Sequence, residues 1–175
     1  MATNIVQKDD PVLRKTAEDV PVTEIKSAKI KKVLKDMASA LASQEDGVAL
    51  AAPQIGEPLR IFIVSGATIR LLKHGEKEDA PMYEDQIYIN PKITKLSKDK
   101  EEMEEGCLSI RWLYGYVKRS KKATVEAYDE HGKKFTRGGS GLMAQIFQHE
   151  VDHLDGVLFT DKAKGLRESP PEEKQ

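Results

Sequence analysis

Apolar positions recur along this chain with two periods. Between Glu24 and Gln44, the residues Ile30, Val33, Leu34, Met37 and Leu41 fall at helical spacing, with Lys29, Lys31, Lys32 and Lys35 between them. A stripe of that kind predicts an amphipathic helix whose apolar face packs on a core. Thr23 offers an N-cap, and Gly47 follows the end. A second helix is expected from Gly141 to about Leu154, with Leu142, Met143, Ile146, Phe147 and Val151 as its apolar members and Ser140 as cap. The middle of the chain is strand-like. Arg60–Val64 and Gln86–Ile89 are short apolar runs bounded by turn residues. Ala123–Tyr128 alternates and turns through Asp129–Gly132 into Lys133–Thr136, a hairpin signal. The stretch from Gly66 to Asp85 reads as a long polar loop. Its His74, like His131 in the hairpin turn, is expected to be solvated. Helix, strands, then helix predicts an α+β domain.

Length and charge narrow the picture. A chain of 175 residues suits one domain with one sizeable core. A single unit over 1–165 is expected, with 166–175 as a disordered tail on composition. The net charge of −1 shows no electrostatic footprint of a nucleic-acid binder. Charged residues are spread along the chain and read as solvated surface. No apolar run approaches the roughly 20 residues of a membrane span, and Met1–Asn4 lacks the start of a secretory signal. The lone cysteine, Cys107, rules out an internal disulfide and fits a reducing compartment. It is an inert core residue, a nucleophile or a metal ligand.

Three strings carry candidate chemistry. In His149-Glu150-Val151-Asp152-His153, the histidines at i and i+4 share one helix face and can reach one ion. Glu150 sits one step round the helix, where it can act on water as a base without ligating. A catalytic divalent site needs three protein ligands and an open position. Cys107, in Glu105-Gly106-Cys107-Leu108-Ser109, is the candidate third ligand, because a soft thiolate suits Zn²⁺ or Fe²⁺. Gly106 lets the backbone approach closely. The third string, Gly47-Val48-Ala49-Leu50-Ala51-Ala52-Pro53-Gln54, crowds small residues after the first helix and ends in an amide donor.

Taken in order, these strings resemble the three motifs of the peptide deformylase family. The likeness runs from about Ile5 to Lys162, and it includes Asp10-Pro11-Val12-Leu13-Arg14, Ile89-Asn90-Pro91 and His153-Leu154-Asp155-Gly156. It implies small antiparallel sheets around a central metal-binding helix. It implies hydrolytic removal of the formyl group from N-terminal formyl-methionine of new peptides. Cys107, His149 and His153 would then hold one divalent ion, with Fe²⁺ expected in the cell and Ni²⁺, Co²⁺ or Zn²⁺ as substitutes. Glu150 would be the general base and then acid, and the Gln54 amide and Leu108 N–H would stabilise the oxyanion. Gly47, Val48, Ala49 and Gly106 would flank the peptide, and the methionine pocket would fall on Val48, Glu105, Leu142 and Ile146. Asp152 is expected to act behind the ligands. The same likeness implies a cytoplasmic, bacterial-type monomer that works near the ribosomal exit tunnel.

The chain departs from the family pattern at Ala49, where a second glycine is usual, and in Ile110-Arg111-Trp112-Leu113, where many members carry a Pro-Gly pair. Trp112 is expected at the rim of the cleft. The first departure keeps two other readings open: a metallo-hydrolase with an altered N-acyl substrate, and a non-catalytic metal-binding relative. A thiol hydrolase using Cys107 as nucleophile is a third.

Overall fold

The computed structural model describes residues 3–172. Five strands form one antiparallel sheet: β1 (Ala49–Ala51), β2 (Ile61–Val64), β3 (Gln86–Leu96), β6 (Lys122–Tyr128) and β7 (Lys134–Ser140), in that spatial order. A second sheet has the order β4 (Lys100–Gly106), β5 (Leu113–Ser120), β8 (Lys164–Glu168). The helices are α1 (Ala28–Ala42), α2 (Gly66–His74) and α3 (Leu142–Leu154). The α+β reading holds. No helix among the described residues is long and apolar enough to cross a membrane.

The five-stranded sheet lies between two layers, and strand alternation assigns its side chains. Ile61 and Ile63 of β2 join Leu50 and Ile89 against the α1 face made by Ile30, Val33, Met37 and Leu41. Phe62 and Val64 point the other way, into the core with Ala144, Ile146, Phe147 and Leu154 of α3. Burial on both faces is why β2 reads as an unbroken apolar run. Phe62 stacks on Tyr88 at 4.4 Å between ring centroids, and Phe147 meets the Tyr88 ring edge-on at 5.5 Å. A third cluster, with Leu13, Ile110, Val117, Leu158 and Phe159, packs beside the second sheet. α3 thus runs through the interior, and its chemistry is carried on a rigid element.

Several local expectations shift. The first helix starts later than Glu24, because Ser27 is the cap and accepts from the Ile30 N–H at 3.3 Å. Residues Val22–Glu24 form a separate 3-10 turn. Ser140 belongs to β7, and α3 is entered through Gly141 at φ 55°, a backbone angle that glycine adopts without strain. β3 runs on to Leu96, beyond its apolar start. The Asn90 side chain on that strand brackets Val20, accepting from its N–H and donating to its C=O, both at 2.7 Å.

The expected loop from Gly66 contains α2. A nine-residue helix is marginal alone, and here tertiary contacts hold it. The Arg70 guanidinium donates to the Lys77, Glu78 and Ala80 carbonyls, and the Gly66 N–H donates to Asp85 Oδ1 at 2.9 Å. Gly66 is required: an added Cβ would lie 1.8 Å from the Tyr83 carbonyl oxygen. His74 is not simply solvated, since its Nε2 lies 2.9 Å from the Tyr83 hydroxyl. Its counterpart His131 is exposed in the β6–β7 turn. Ser65 caps α2 through its hydroxyl, which accepts from the Thr68 N–H at 3.1 Å. Ser65→Ala is expected to lower stability by about 1 kcal/mol, read as a lower urea midpoint; an unchanged midpoint would show that the Arg70 contacts alone hold the helix.

β4, β5 and β8 have no counterpart among the expected elements. The acidic run of β4 is mostly exposed, and β8 is exposed throughout. Backbone pairing makes these strands, and side-chain pattern does not report it. β8 extends to Glu168, inside the segment expected to be a tail from 166. The last of that segment, 173–175, lies outside the described residues, as do Met1 and Ala2.

Candidate active site

Three ligand-type atoms converge where β4 ends against α3. Cys107 follows β4 directly, and His149 and His153 share one face of α3. The Cys107 Sγ lies 3.3 Å from His153 Nε2, and ligand atoms of Cys107, His149 and His153 all lie within 4.8 Å of one another. A thiol and two imidazoles at that spacing suit a divalent cation. Each ring is turned suitably. His149 Nδ1 is held by Glu105 Oε1 at 2.7 Å, which leaves Nε2 for an ion. His153 turns Nε2 to the thiol, and its buried Nδ1 has no partner among the described residues. The donor set fits one metal ion.

Behind the ligands runs a buried ionic chain that begins with Arg119 on β5. Its guanidinium holds Glu105 through two hydrogen bonds, Nε to Oε2 at 2.7 Å and Nη2 to Oε1 at 2.8 Å. Its Nη1 reaches Asp152 Oδ2 at 2.7 Å, and Lys162 also donates to Asp152, at 3.0 Å. The partner of Asp152 is therefore Arg119, a residue that no sequence motif had marked. Burial alone would raise the Glu105 pKa, but hydrogen bonds from Arg119 and His149 hold it down at about 2. So Glu105 is a carboxylate that faces His149, and it also lines the cleft. Burial disfavours a charged His149, yet hydrogen bonds with Cys107 and Glu105 raise its pKa well above the ordinary value. Burial, with His149 adding to it, pushes His153 well below. Gln148 pins α3 to the end of β5, accepting from the Ser120 N–H and donating to the Ser120 C=O at 2.9 and 3.0 Å.

Glu150 lies on the cleft side of α3. It is buried, and its Oε2 has no hydrogen-bond partner among the described residues. Burial pushes its pKa up to about 7, with Glu105 adding to the rise and His149 and Arg119 opposing it. A carboxyl poised near neutrality suits proton transfer. Opposite it, Gln54 sits at the end of the small-residue string. Its Oε1 accepts from the Ala51 N–H at 2.9 Å, so its amide nitrogen faces Ser109 Oγ at 3.1 Å and Cys107 Sγ at 3.6 Å. Leu108 follows in a turn closed by the Ile110 N–H to the Cys107 C=O at 3.0 Å.

Cys107, His149, Glu150 and Gln54 share a cleft of about 360 Å³, lined also by Val48, Ala49, Leu142, Ile146, Gly106, Leu108 and Tyr114; buried His153 does not line it. Gly47 is not part of its wall. Its missing side chain serves packing, since a Cβ there would lie 2.8 Å from Leu41 Cδ1. Gly106 does line the cleft, and what approaches it is the Tyr114 ring, 2.6 Å from where a Cβ would stand. Ala49 is buried in the α3-side core and still lines the cleft. Trp112 is not part of the wall. Arg111 is, and its guanidinium lies over the Trp112 ring at 4.2 Å.

The family model for Polypeptide deformylase matches residues 2–169. The chain belongs to the peptide deformylase family. Peptide deformylase 2 of Clostridium acetobutylicum is 42% identical over 154 residues, covering 87% of this chain and 89% of that protein. Among solved structures, a Met-Ala-Ser-bound class I type b peptide deformylase from Acinetobacter baumannii superposes with a TM-score of 0.79 at 28% identity, covering 93% of this chain and 99% of that one. The Thermotoga maritima peptide deformylase gives a TM-score of 0.78 at 32% identity, covering 94% and 99%. The chain is accordingly a hydrolase of that deformylase family, with an α+β deformylase fold.

Proposed function

We propose that this deformylase removes the formyl group from the N-terminal formyl-methionine of new peptides and releases formate. The observation that carries the reading is Glu150: a buried carboxyl with an oxygen unpartnered among the described residues, lining the same cleft as Cys107 and His149, with His153 buried beside them. Cys107, His149 and His153 are the metal ligands, and Fe²⁺ is the ion proposed for the cell. A divalent ion held there supplies Lewis acidity and lowers the pKa of water towards about 7. Glu150 accepts the proton that water gives up as it attacks the formyl carbon, and later passes it to the leaving amine. The Gln54 amide and the Leu108 N–H are the donors for the oxyanion that develops. Gln54 is preset for this by its bond from the Ala51 N–H.

Binding follows from the same walls. β1 is the edge strand of its sheet and, among the described residues, pairs only with β2. Its outer edge can take an extended peptide as an added strand. Val48, Leu142 and Ile146 make an apolar wall suited to the methionine side chain. Glu105 keeps His149 oriented and is a positioning residue, with Arg119 behind it. A cytoplasmic monomer acting on chains as they leave the ribosome is the setting proposed.

A thiol hydrolase finds less support. His149, hydrogen-bonded to Cys107 and held by Glu105, would give such a cysteine an oriented base, but that route leaves His153, turned to the same thiol, and the buried Glu150 carboxyl without a task. The deciding measurement is formate release from formyl-Met-Ala-Ser by protein purified anaerobically with Fe²⁺ or Ni²⁺. Release that a chelator abolishes is the expected result. Chelator-resistant release would favour the thiol route, and no release from metal-loaded protein would sink the proposed substrate.

A further inference from the structure

The mouth of the cleft carries an ion pair that the reaction above does not use. Arg111, in the loop between β4 and β5, reaches across to the loop between α1 and β1. Its Nη1 donates to Asp46 Oδ2 at 2.6 Å, and its Nη2 donates to Asp46 Oδ1 at 3.0 Å and to Gln44 Oε1 at 2.9 Å. Stacked on Trp112, the guanidinium is restrained on a second side, and its side chain is only 19% exposed. Its loop is anchored too, by the Leu113 N–H to the Ile110 C=O and the Ser169 N–H to the Trp112 C=O. An arginine this restrained has lost most of its rotamer freedom before any ligand arrives. Its Nε–H and one Nη1–H meet no protein acceptor among the described residues, and both Arg111 and Asp46 line the cleft.

Resting on the deformylase reading, we propose that Arg111 is a specificity-determining residue for the downstream part of the peptide, receiving a carboxylate side chain on its third residue. Position follows from the edge strand. A peptide that adds antiparallel to β1 with methionine at Val48 runs towards the α1–β1 loop, where Asp46 stands in a turn closed by the Gly47 N–H to the Gln44 C=O. Advancing about 3.3 Å per residue, it brings its third residue to the mouth of the cleft beside the Asp46–Arg111 pair. Chemistry follows from the fork: a guanidinium offers paired donors matched to a carboxylate. Asp46 occupies that fork in the free protein, but it is 53% exposed. Asp46 thus keeps access to water, so an acidic side chain of the peptide can take its place in the fork while Asp46 is rehydrated in exchange. Asp46 therefore damps the preference by neutralising the cation, and Arg111 creates it.

The test compares kcat/KM for formyl-Met-Ala-Glu-amide and formyl-Met-Ala-Gln-amide, which differ only in that charge, on wild-type, Arg111→Met and Asp46→Asn proteins loaded with Ni²⁺. The Glu/Gln ratio is expected to exceed one in the wild type, to fall to one in Arg111→Met, and to rise roughly tenfold above the wild type in Asp46→Asn, the order that one charge-assisted hydrogen bond carries. Opposite shifts from the two halves of one ion pair are what a merely structural bridge would not produce. A ratio that is the same in all three proteins, or variants that lose activity equally on both peptides, would overturn the proposal. Turnover of the Gln peptide by the wild type tests the deformylase reading alone: its absence would sink that reading, whereas turnover with an invariant ratio sinks only the role of Arg111.

Discussion

Glu150→Gln is expected to lower kcat for formate release by roughly 10²–10⁴-fold, the range of a positioned general acid–base, with bound metal unchanged. Glutamine keeps the shape and fills the same space on α3, so the ligand face carrying His149 and His153 is left intact. It cannot take the proton from the attacking water or return one to the leaving amine. Because Oε2 has no partner among the described residues, the substitution breaks no hydrogen bond made there by that oxygen, so lost turnover would report chemistry and not folding. The pH profile gives a second check. Burial sets the Glu150 pKa near 7 in the metal-free protein. A cation at the three ligands favours the charged carboxylate and draws that value down, so the acid limb of kcat/KM is expected below pH 7 and should vanish in the variant. Normal turnover by Glu150→Gln, measured at one metal per chain, would remove Glu150 from the proton path.

Arg119→Leu is expected to destabilise the protein by about 3–5 kcal/mol, the usual result of removing one member of a buried ion pair. The Arg119 and Glu105 side chains are 3% and 4% exposed. Without the guanidinium, Glu105 is left charged in the interior with only His149, and Asp152 keeps only Lys162. The pH dependence separates this from a simple packing loss. In the wild type the folded pKa of Glu105, about 2, lies below its unfolded value. Its contribution is therefore fully present above the unfolded pKa and is lost as pH falls towards 2. In the variant, burial without Arg119 raises the folded pKa, so stability falls as pH rises. The gap between variant and wild type should widen from pH 3 to pH 7 in urea unfolding. A constant gap over that range would mean that Glu105 does not depend on Arg119. Metal affinity is expected to fall as well, by about 10–100-fold, the usual effect of loosening a group that orients a ligand histidine.

How far the chain could be read in advance differed by kind of feature. α1, α3 and the β6–β7 hairpin were legible because each buries one stripe or alternate residues against a core, and β2 because it is buried on both faces as a short unbroken apolar run. α2 was not, since a short helix held by Arg70 on loop carbonyls leaves no long apolar stripe. β4 and β8 were not, since their side chains are largely exposed and only their backbones pair, and β5 was not, since its inward positions are Gly115, Val117 and Arg119, which make no apolar alternation. Glu105 was expected as part of the methionine pocket. Its carboxylate belongs to His149 and Arg119, although its residue does line the cleft.

The sequence by itself determined the ligand-type residues, the acid–base candidate and the family, because those depend on residue identity and on short spacings along one helix or one loop. Tertiary structure alone decided which charges meet. Arg119 lies 14 positions from Glu105 and 33 from Asp152, and Arg111 lies 65 from Asp46. Periodicity tells which way a side chain faces, but the partner it finds there is set by how sheets and helices pack, and that packing brings together residues that no local pattern connects.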